Sequence, residues 1–344
     1  MNQLRQKIYG FGKTLCLSFS LLISLPIYSA QNKSESLINY SILQQFLEQE
    51  RQDAGLQTKT LKVGHLTWKY SEGGSSQKPT ILLIHGLGGN RDCWNKVAHF
   101  LTPDYHVIIP DLPTNDDIQI PQTADVSIPN VSLALRQFAE ALNIQNKLNI
   151  AGHSLGGSIA TYYASQYPFD TQSLFLLSSA GIYKGAKTPY SLNPSTLKNL
   201  VITKPGDFDR MISKLMQYPP HLPSNIKMAQ ENLLISQAPQ TTRLIDQLIQ
   251  LNQIYTPETF ARLARSVEAP TLILWGKQDQ IINYEVANEL QHLMKRAETP
   301  IILNNVGHLP ILEAENQVAQ SYLPFLAKTQ NLKNPLTDKL IPLN

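Results

Sequence analysis

The sequence predicts an α/β fold, with a mostly parallel central sheet, helices on both faces and an inserted helical cap. Three observations predict it. Short apolar runs recur at Thr80–Ile84, His106–Ile109, Leu148–Ala151, Leu174–Leu177, Thr271–Leu274 and Ile301–Leu303. Continuous runs of this kind are strands buried on both faces. Between several of them lie segments with apolar residues at i, i+3, i+4 and i+7, the clearest being Val131, Ala134, Leu135, Phe138, Ala139 and Leu142. Strand–helix alternation over this length covers a parallel sheet on both sides. The run Leu148–Ala151 also leads into Gly152-His153-Ser154-Leu155-Gly156, and a helix-like stretch follows as far as Pro168. A Gly-x-Ser-x-Gly turn between strand and helix holds its serine in a strained backbone conformation, with the hydroxyl projecting from the sheet.

Taken in order, residues 1–30 read as a signal peptide or N-terminal anchor. Arg5, Lys7 and Lys13 accompany an apolar stretch from Thr14 to Ile27. That stretch is short for a membrane span of about 20 residues and suits the core of an export signal. Cleavage after Ala30 or Ser29 would put Tyr28 or Ile27 at the third position before the cut, where small residues are preferred. Two localisations therefore stay open: exported (periplasmic or secreted) after cleavage, or membrane-anchored through the N-terminus.

Residues 31–62 read as a linker and a helix with the stripe Leu37, Tyr40, Ile42, Leu43, Phe46 and Leu47. The stripe either packs on the body or lies on a lipid surface. Residues 63–181 read as the first part of the core, opening with a strand at Val63–Tyr70 and a turn at Ser71–Gln77. Residues 182–265 hold no comparable strand and read as a helical cap. Its amphipathic pieces are Ile226–Ile235, Leu244–Leu251 and a helix opened by Thr256-Pro257-Glu258, with Thr as N-cap and Pro in the first turn. Residues 266–328 resume the core, including a helix with Val286, Ala287, Leu290, Leu293 and Met294 inward, and 329–344 read as a polar tail.

Composition narrows the function classes. At 42% hydrophobic and 16% charged the chain is globular rather than disordered. The formal charge of +3 resides in residues 1–30; without them 26 basic residues face 26 acidic ones. No basic surface for nucleic acid is implied. Cys16 lies in the apolar N-terminal run and Cys93 in the body, so no internal disulfide is expected and Cys93 reads as a packed small residue. No cluster has metal-ligand spacing, and the Gly-rich stretches lack the Lys-Ser/Thr ending of a phosphate loop. No metal and no cofactor are expected.

A serine is a poor nucleophile at neutral pH without a base, and the base needs an orienting acid. Two late strands supply both. Thr271–Trp275 runs into Gly276-Lys277-Gln278-Asp279, and Ile301–Leu303 runs into Asn304-Asn305-Val306-Gly307-His308. Loops at the carboxyl ends of parallel strands are where such sheets place ligands. The candidate catalytic residues are therefore Ser154, Asp279 and His308. The strand ending at Ile84 continues as His85-Gly86-Leu87-Gly88-Gly89. The backbone N–H groups of Leu87 and Leu155 are the candidate oxyanion hole, each worth about 3 kcal/mol to a developing oxyanion. His85 is expected to brace that loop, and Gly86 and His153 to line the site, with His153 a shape or hydrogen-bonding residue. His221 reads as a surface residue of the cap.

From about Val63 to Lys328 the chain resembles the α/β-hydrolase superfamily. More narrowly it is similar to the lipase 1 group of cold-adapted gamma-proteobacteria and to membrane-bound monoacylglycerol hydrolases. The resemblance rests on His85-Gly86-Leu87-Gly88-Gly89-Asn90-Arg91-Asp92, Gly152–Gly157, Trp275-Gly276 with Asp279, and Val306-Gly307-His308. Asp207-Phe208 and Met216–Pro220 extend it into the cap. One stretch departs from the pattern: relatives continue Asp-Leu with x-Gly-x-Gly-x-Ser, whereas Asp111-Leu112 is followed here by Pro113-Thr114-Asn115-Asp116-Asp117. The resemblance implies a serine carboxylester hydrolase acting on a small lipid-like ester, such as an acylglycerol, with association to a membrane or lipid surface. Two alternatives use the same scaffold. One is a carbon–carbon bond hydrolase of ring-cleavage products with the same triad; the other is a non-catalytic binding module.

Overall fold

The computed structural model describes residues 40–113, 125–145, 147–254 and 256–330. The expected signal or anchor at 1–30, the residues of the departing loop from Thr114 onward and the tail beyond Gln330 lie outside the described residues.

Eight strands form one sheet: β1 Leu56–Val63, β2 Leu66–Gly73, β3 Thr80–Ile84, β4 His106–Pro110, β5 Leu148–His153, β6 Thr171–Leu177, β7 Thr271–Gly276 and β8 Ile301–Leu303. Their spatial order is β1-β2-β4-β3-β5-β6-β7-β8. From β4 to β8 every pairing is parallel, and β1 and β2 are antiparallel. The apolar runs are buried on both faces because successive residues alternate sides. Leu82, Ile84, Ile150, Leu174, Leu176 and Ile273 enter one core cluster. Ile81, Leu83, Ala151, Phe175, Leu177 and Leu272 enter the other. Each fully buried Leu, Ile or Phe among them contributes about 1.5–3 kcal/mol.

The opening strand requires a correction. Residues 63–70 do not form a single strand followed by a turn. Two strands, β1 and β2, pair about a turn at Gly64, whose φ is +60°. The segment expected to be linker and helix, 31–62, therefore also carries β1. β1 lies at the sheet edge and is exposed over Gln57–Thr60, so it lacks the apolar run that marks a central strand.

Residues 40–53 form helix α1. Leu43 is 2% exposed and packs against Ile226 and Ala229, with Ile42 and Leu47 partly buried beside it. Tyr40 and Phe46 stay exposed. Of the stripe, Ile42, Leu43 and Leu47 thus pack on the body, and Leu37 lies outside the described residues. Arg51, in its last turn, pairs with Asp92 at 2.6 Å.

The remaining helices are α2 Asn95–Leu101, α3 Ile128–Ala141, α4 Leu155–Gln166, α5 Pro189–Leu192, α6 Asp207–Leu215, α7 Ser224–Ser236, α8 Ala238–Ile254, α9 Pro257–Arg265, α10 Val286–Leu293, α11 Pro310–Glu313 and α12 Glu315–Gln330. α3, α4, α9 and α10 contribute to the first cluster, and α2, α11 and α12 to the second. α9 begins with a capping box between Thr256 and Thr259, as the Thr-Pro-Glu opening predicts. Among the described residues between β6 and β7, the regular elements are all helices. α12 runs two residues into the segment expected as tail. It buries Val318, Ala319, Tyr322, Phe325, Leu326 and Thr329, with Tyr322 packed on Phe175 at 4.4 Å between ring centroids. No described helix is long and apolar enough to cross a membrane.

Candidate active site

Ser154 sits at the junction of β5 and α4 with φ 53° and ψ −122°. That left-handed conformation is costly for a residue with a Cβ, and the surroundings impose it. Its N–H donates to Leu177 O at 3.1 Å, and its carbonyl accepts from Gly157 N at 2.8 Å and Ala180 N at 2.9 Å. The turn closes tightly because two glycines permit it. A Cβ on Gly152 would strike the backbone of Gly156, and one on Gly156 would strike the carbonyl of Ile84. Leu155 opens α4, so the positive end of the helix faces the serine.

Three side chains from three loops converge. Ser154 Oγ lies 2.9 Å from His308 Nε2, and His308 Nδ1 lies 2.8 Å from Asp279 Oδ2. Asp279 and His308 are buried, while Ser154 is half-buried. Asp279 Oδ1 accepts from the N–H groups of Ile281 at 2.8 Å and Ile282 at 2.9 Å, and Oδ2 also accepts from Trp275 Nε1 at 3.1 Å. The carboxylate is thereby held on all sides with its second oxygen aimed at the imidazole. The loops that carry Asp279 and His308 are laced together by Lys277 N to Leu303 O, Gln278 N to Val306 O and Val306 N to Gln278 Oε1, at 2.9, 2.9 and 3.1 Å.

The loop after β3 closes over this group. A Cβ on Gly86 would lie 3.0 Å from Ser154 Cβ. Residues 86–89 form a turn, with Gly89 N donating to Gly86 O at 3.2 Å and Gly88 at φ +67°. A positive φ at the third turn position favours glycine.

A sequence profile of the alpha/beta hydrolase fold matches residues 79–315. The chain belongs to the alpha/beta hydrolase family. Lipase 1 of Psychrobacter immobilis is 32% identical over 316 residues, covering 91% of this chain and 96% of that protein. The crystal structure of a candidate lipase (lip1) from Acinetobacter baumannii AYE is 58% identical with a TM-score of 0.82, covering 84% of this chain and 96% of that one. A membrane phospholipase A of known structure is 31% identical with a TM-score of 0.81, covering 89% and 97%.

Around the three converging side chains, this alpha/beta hydrolase has further polar contacts. His85 is fully buried; its Nδ1 donates to Gly86 O and its Nε2 accepts from Leu112 N–H, both at 2.9 Å. Burial holds its pKa below the usual histidine value. His153 Nε2 donates to the carbonyl of His308 at 2.7 Å. Burial, and secondarily the nearby His308, push its pKa down to about 3, so this ring is neutral and serves as a donor. His221 is exposed. Cys93 is half-buried, and desolvation raises its thiol well above the ordinary range, which disfavours the thiolate.

Sequence reasoning missed several residues. Arg91 closes the loop after β3: its N–H donates to Asp111 Oδ1 at 2.8 Å, its guanidinium pairs with Asp111 Oδ2, and its Nε donates to Ser71 Oγ at 3.1 Å. Both ions of this pair are at most 4% exposed. Arg91 and Asp111 both fall within the resemblance, but nothing in their spacing indicates that they pair. Trp275 falls in the Trp-Gly…Asp pattern, and its indole is the third donor to Asp279. Glu313 carried no signal beyond its place after His308. Its carboxylate meets the histidine loop and the segment leaving α6.

Proposed function

We propose that the chain is an exported serine carboxylester hydrolase acting on lipid-like esters of the acylglycerol type. The relay from Ser154 through His308 to Asp279, at 2.9 and 2.8 Å, carries this reading. Ser154 Oγ attacks the ester carbonyl while His308 Nε2 takes its proton. Asp279 holds Nδ1–H, fixing the tautomer, and stabilises the imidazolium. The N–H groups of Leu87 and Leu155 bind the oxyanion, and loss of either donor costs about 3 kcal/mol of that stabilisation. As the tetrahedral intermediate collapses, the alcohol leaves with the proton from His308. Water then attacks the acyl-enzyme along the same path in reverse, releasing the acid.

Residues 182–265 act as a cap whose apolar side receives the acyl chain. In support, Leu87 packs against both the main core and a cluster of cap residues, Val201, Ala238 and Ile245, with Leu197 and Ile249 partly buried alongside. An apolar wall beside the oxyanion loop suits an alkyl chain better than the polar anchor that a dienoate acid needs. Arg91, beside that loop, is already paired with Asp111. The activities of the relatives, a lipase and a phospholipase A, fit a lipid ester. The basic start and apolar run at 14–27 support export, with a lipid surface as the place of action.

Hydrolysis of p-nitrophenyl esters from acetate to palmitate, alongside monoacylglycerol and phosphatidylcholine, tests the reading. A chain-length optimum lost by about 10³-fold or more in Ser154→Ala and His308→Ala is the expected result. Wild-type protein with no more ester turnover than Ser154→Ala would refute it. Cell fractionation and N-terminal sequencing of the product test export and cleavage.

A further inference from the structure

The backbone of His308 is gripped from two directions. Its carbonyl accepts from His153, the residue before the nucleophile, and its N–H donates to Leu215 O at 2.7 Å. Leu215 is the last residue of α6, within the 182–265 insertion, and the chain leaves that helix in an extended conformation through Met216. This segment runs so close to the histidine loop that a Cβ on Gly307 would lie 2.6 Å from Leu215 O and 3.0 Å from Gln217 N. Contact between the two segments is thus backbone to backbone, with no flexible side chain to absorb a shift.

One carboxylate joins them. Glu313 ends α11, five residues after His308, and is half-buried. Its Oε1 accepts from Gly307 N–H at 2.9 Å. Its Oε2 accepts from Gln217 N–H at 2.9 Å and Tyr218 N–H at 3.2 Å. Three N–H donors converge on one ionised acceptor, an arrangement only a carboxylate satisfies: an amide has one accepting oxygen and would turn N–H groups toward N–H groups.

We infer that Glu313 is a positioning residue that locks the cap segment 215–218 to the loop of the base, so that His308 is correctly placed only while that segment is seated. This rests on His308 acting as the base of the proposed reaction. Removing the carboxylate frees Gly307 and Gln217 together. The His308 N–H···O contact with Leu215 then loosens, and the imidazole loses its alignment with Ser154 Oγ. A displacement on the order of 1 Å at such a group costs about 10²-fold in rate.

The test measures kcat and KM for a p-nitrophenyl ester in Glu313→Ala and Glu313→Gln, together with the rate at which a fluorophosphonate probe labels Ser154. Rates are expressed per folded molecule, with the folded fraction read from thermal melts. Kcat and labelling rate are expected to fall about 100-fold in Glu313→Ala and about 10-fold in Glu313→Gln, with KM within about threefold of wild type. The glutamine variant retains one acceptor and so keeps the test alive if the alanine variant does not fold. Variants that melt earlier but label and turn over at the wild-type rate per folded molecule would overturn the inference, because Glu313 would then be structural only. If wild-type protein labels rapidly yet hydrolyses no ester, the substrate reading fails, and the labelling order still decides the role of Glu313.

Discussion

On the proposed reaction, replacing Asp279 by Asn separates the orienting role of its carboxylate from its bulk. In the wild type, Oδ1 receives two backbone N–H groups, from Ile281 and Ile282, while Oδ2 receives His308 Nδ1–H and Trp275 Nε1–H. An asparagine oxygen can take only one of these positions. Facing His308, it would turn the amide NH2 against both backbone donors and leave two buried N–H groups unpaired, at about 1–3 kcal/mol each. Facing the backbone, it keeps those bonds and presents NH2 to His308 and Trp275. The indole loses little there, because it also donates to Ile282 O at 3.0 Å.

The second orientation therefore wins by a few kcal/mol. It makes His308 Nδ1 an acceptor and moves the ring proton to Nε2, facing Ser154 Oγ. With no lone pair toward the hydroxyl, the base is disabled. Kcat is expected to fall by about 10³–10⁴, equivalent to about 4–5.5 kcal/mol. Unfolding free energy should change by less than about 2 kcal/mol. Turnover of a p-nitrophenyl ester and fluorophosphonate labelling measure the first, and a denaturant titration the second. An Asp279→Asn protein that folds and keeps activity within tenfold of wild type would refute the reasoning.

Other perturbations follow from the same contacts. Arg91→Met strands the Asp111 carboxylate in a site 1% exposed and should cost about 3–5 kcal/mol in a denaturant titration. Adding Asp111→Leu should recover much of that loss, and no recovery would mean the pair is not the cause. His153 has a folded pKa of about 3 against an ordinary value near 6.5, so between these values the unfolded chain binds the extra proton. Acidification through that window destabilises the fold, by up to about 1.4 kcal/mol per pH unit from this group. His153→Gln should flatten that pH dependence, and equal slopes in the two proteins would contradict the assignment. Leu43→Ala should cost about 2 kcal/mol in the docking of α1, seen as faster limited proteolysis within residues 40–55. Unchanged cleavage there would show that the contact with Ile226 and Ala229 is not what holds the helix.

The sequence by itself determined the central strands, the elbow and the order of the loops that carry Ser154, Asp279 and His308, because each is written in local chemistry. A strand buried on both faces must be apolar throughout, so β3, β4, β5, β6, β7 and β8 could be placed to within a few residues. The elbow could be recognised because its glycines answer to clashes between adjacent segments, Gly152 against Gly156 and Gly156 against Ile84. Ser154, Asp279 and His308 could be singled out because each follows such a strand.

Tertiary structure alone decided what meets what. β1 escaped notice because an edge strand has one free side and no continuous apolar run. α12 escaped because a helix packed on one face shows only a thin apolar stripe. Arg91 and Asp111 are 20 residues apart, and His153 and His308 are 155 apart. Glu313 reaches a segment 96 residues away. No spacing rule connects such pairs, since their proximity is set by how loops from different strands stack over one end of the sheet. A lone arginine or glutamate in a sequence carries no mark of the backbone amide or carboxylate it will find, and these partners meet around the loops that carry Ser154, His308 and Gly86.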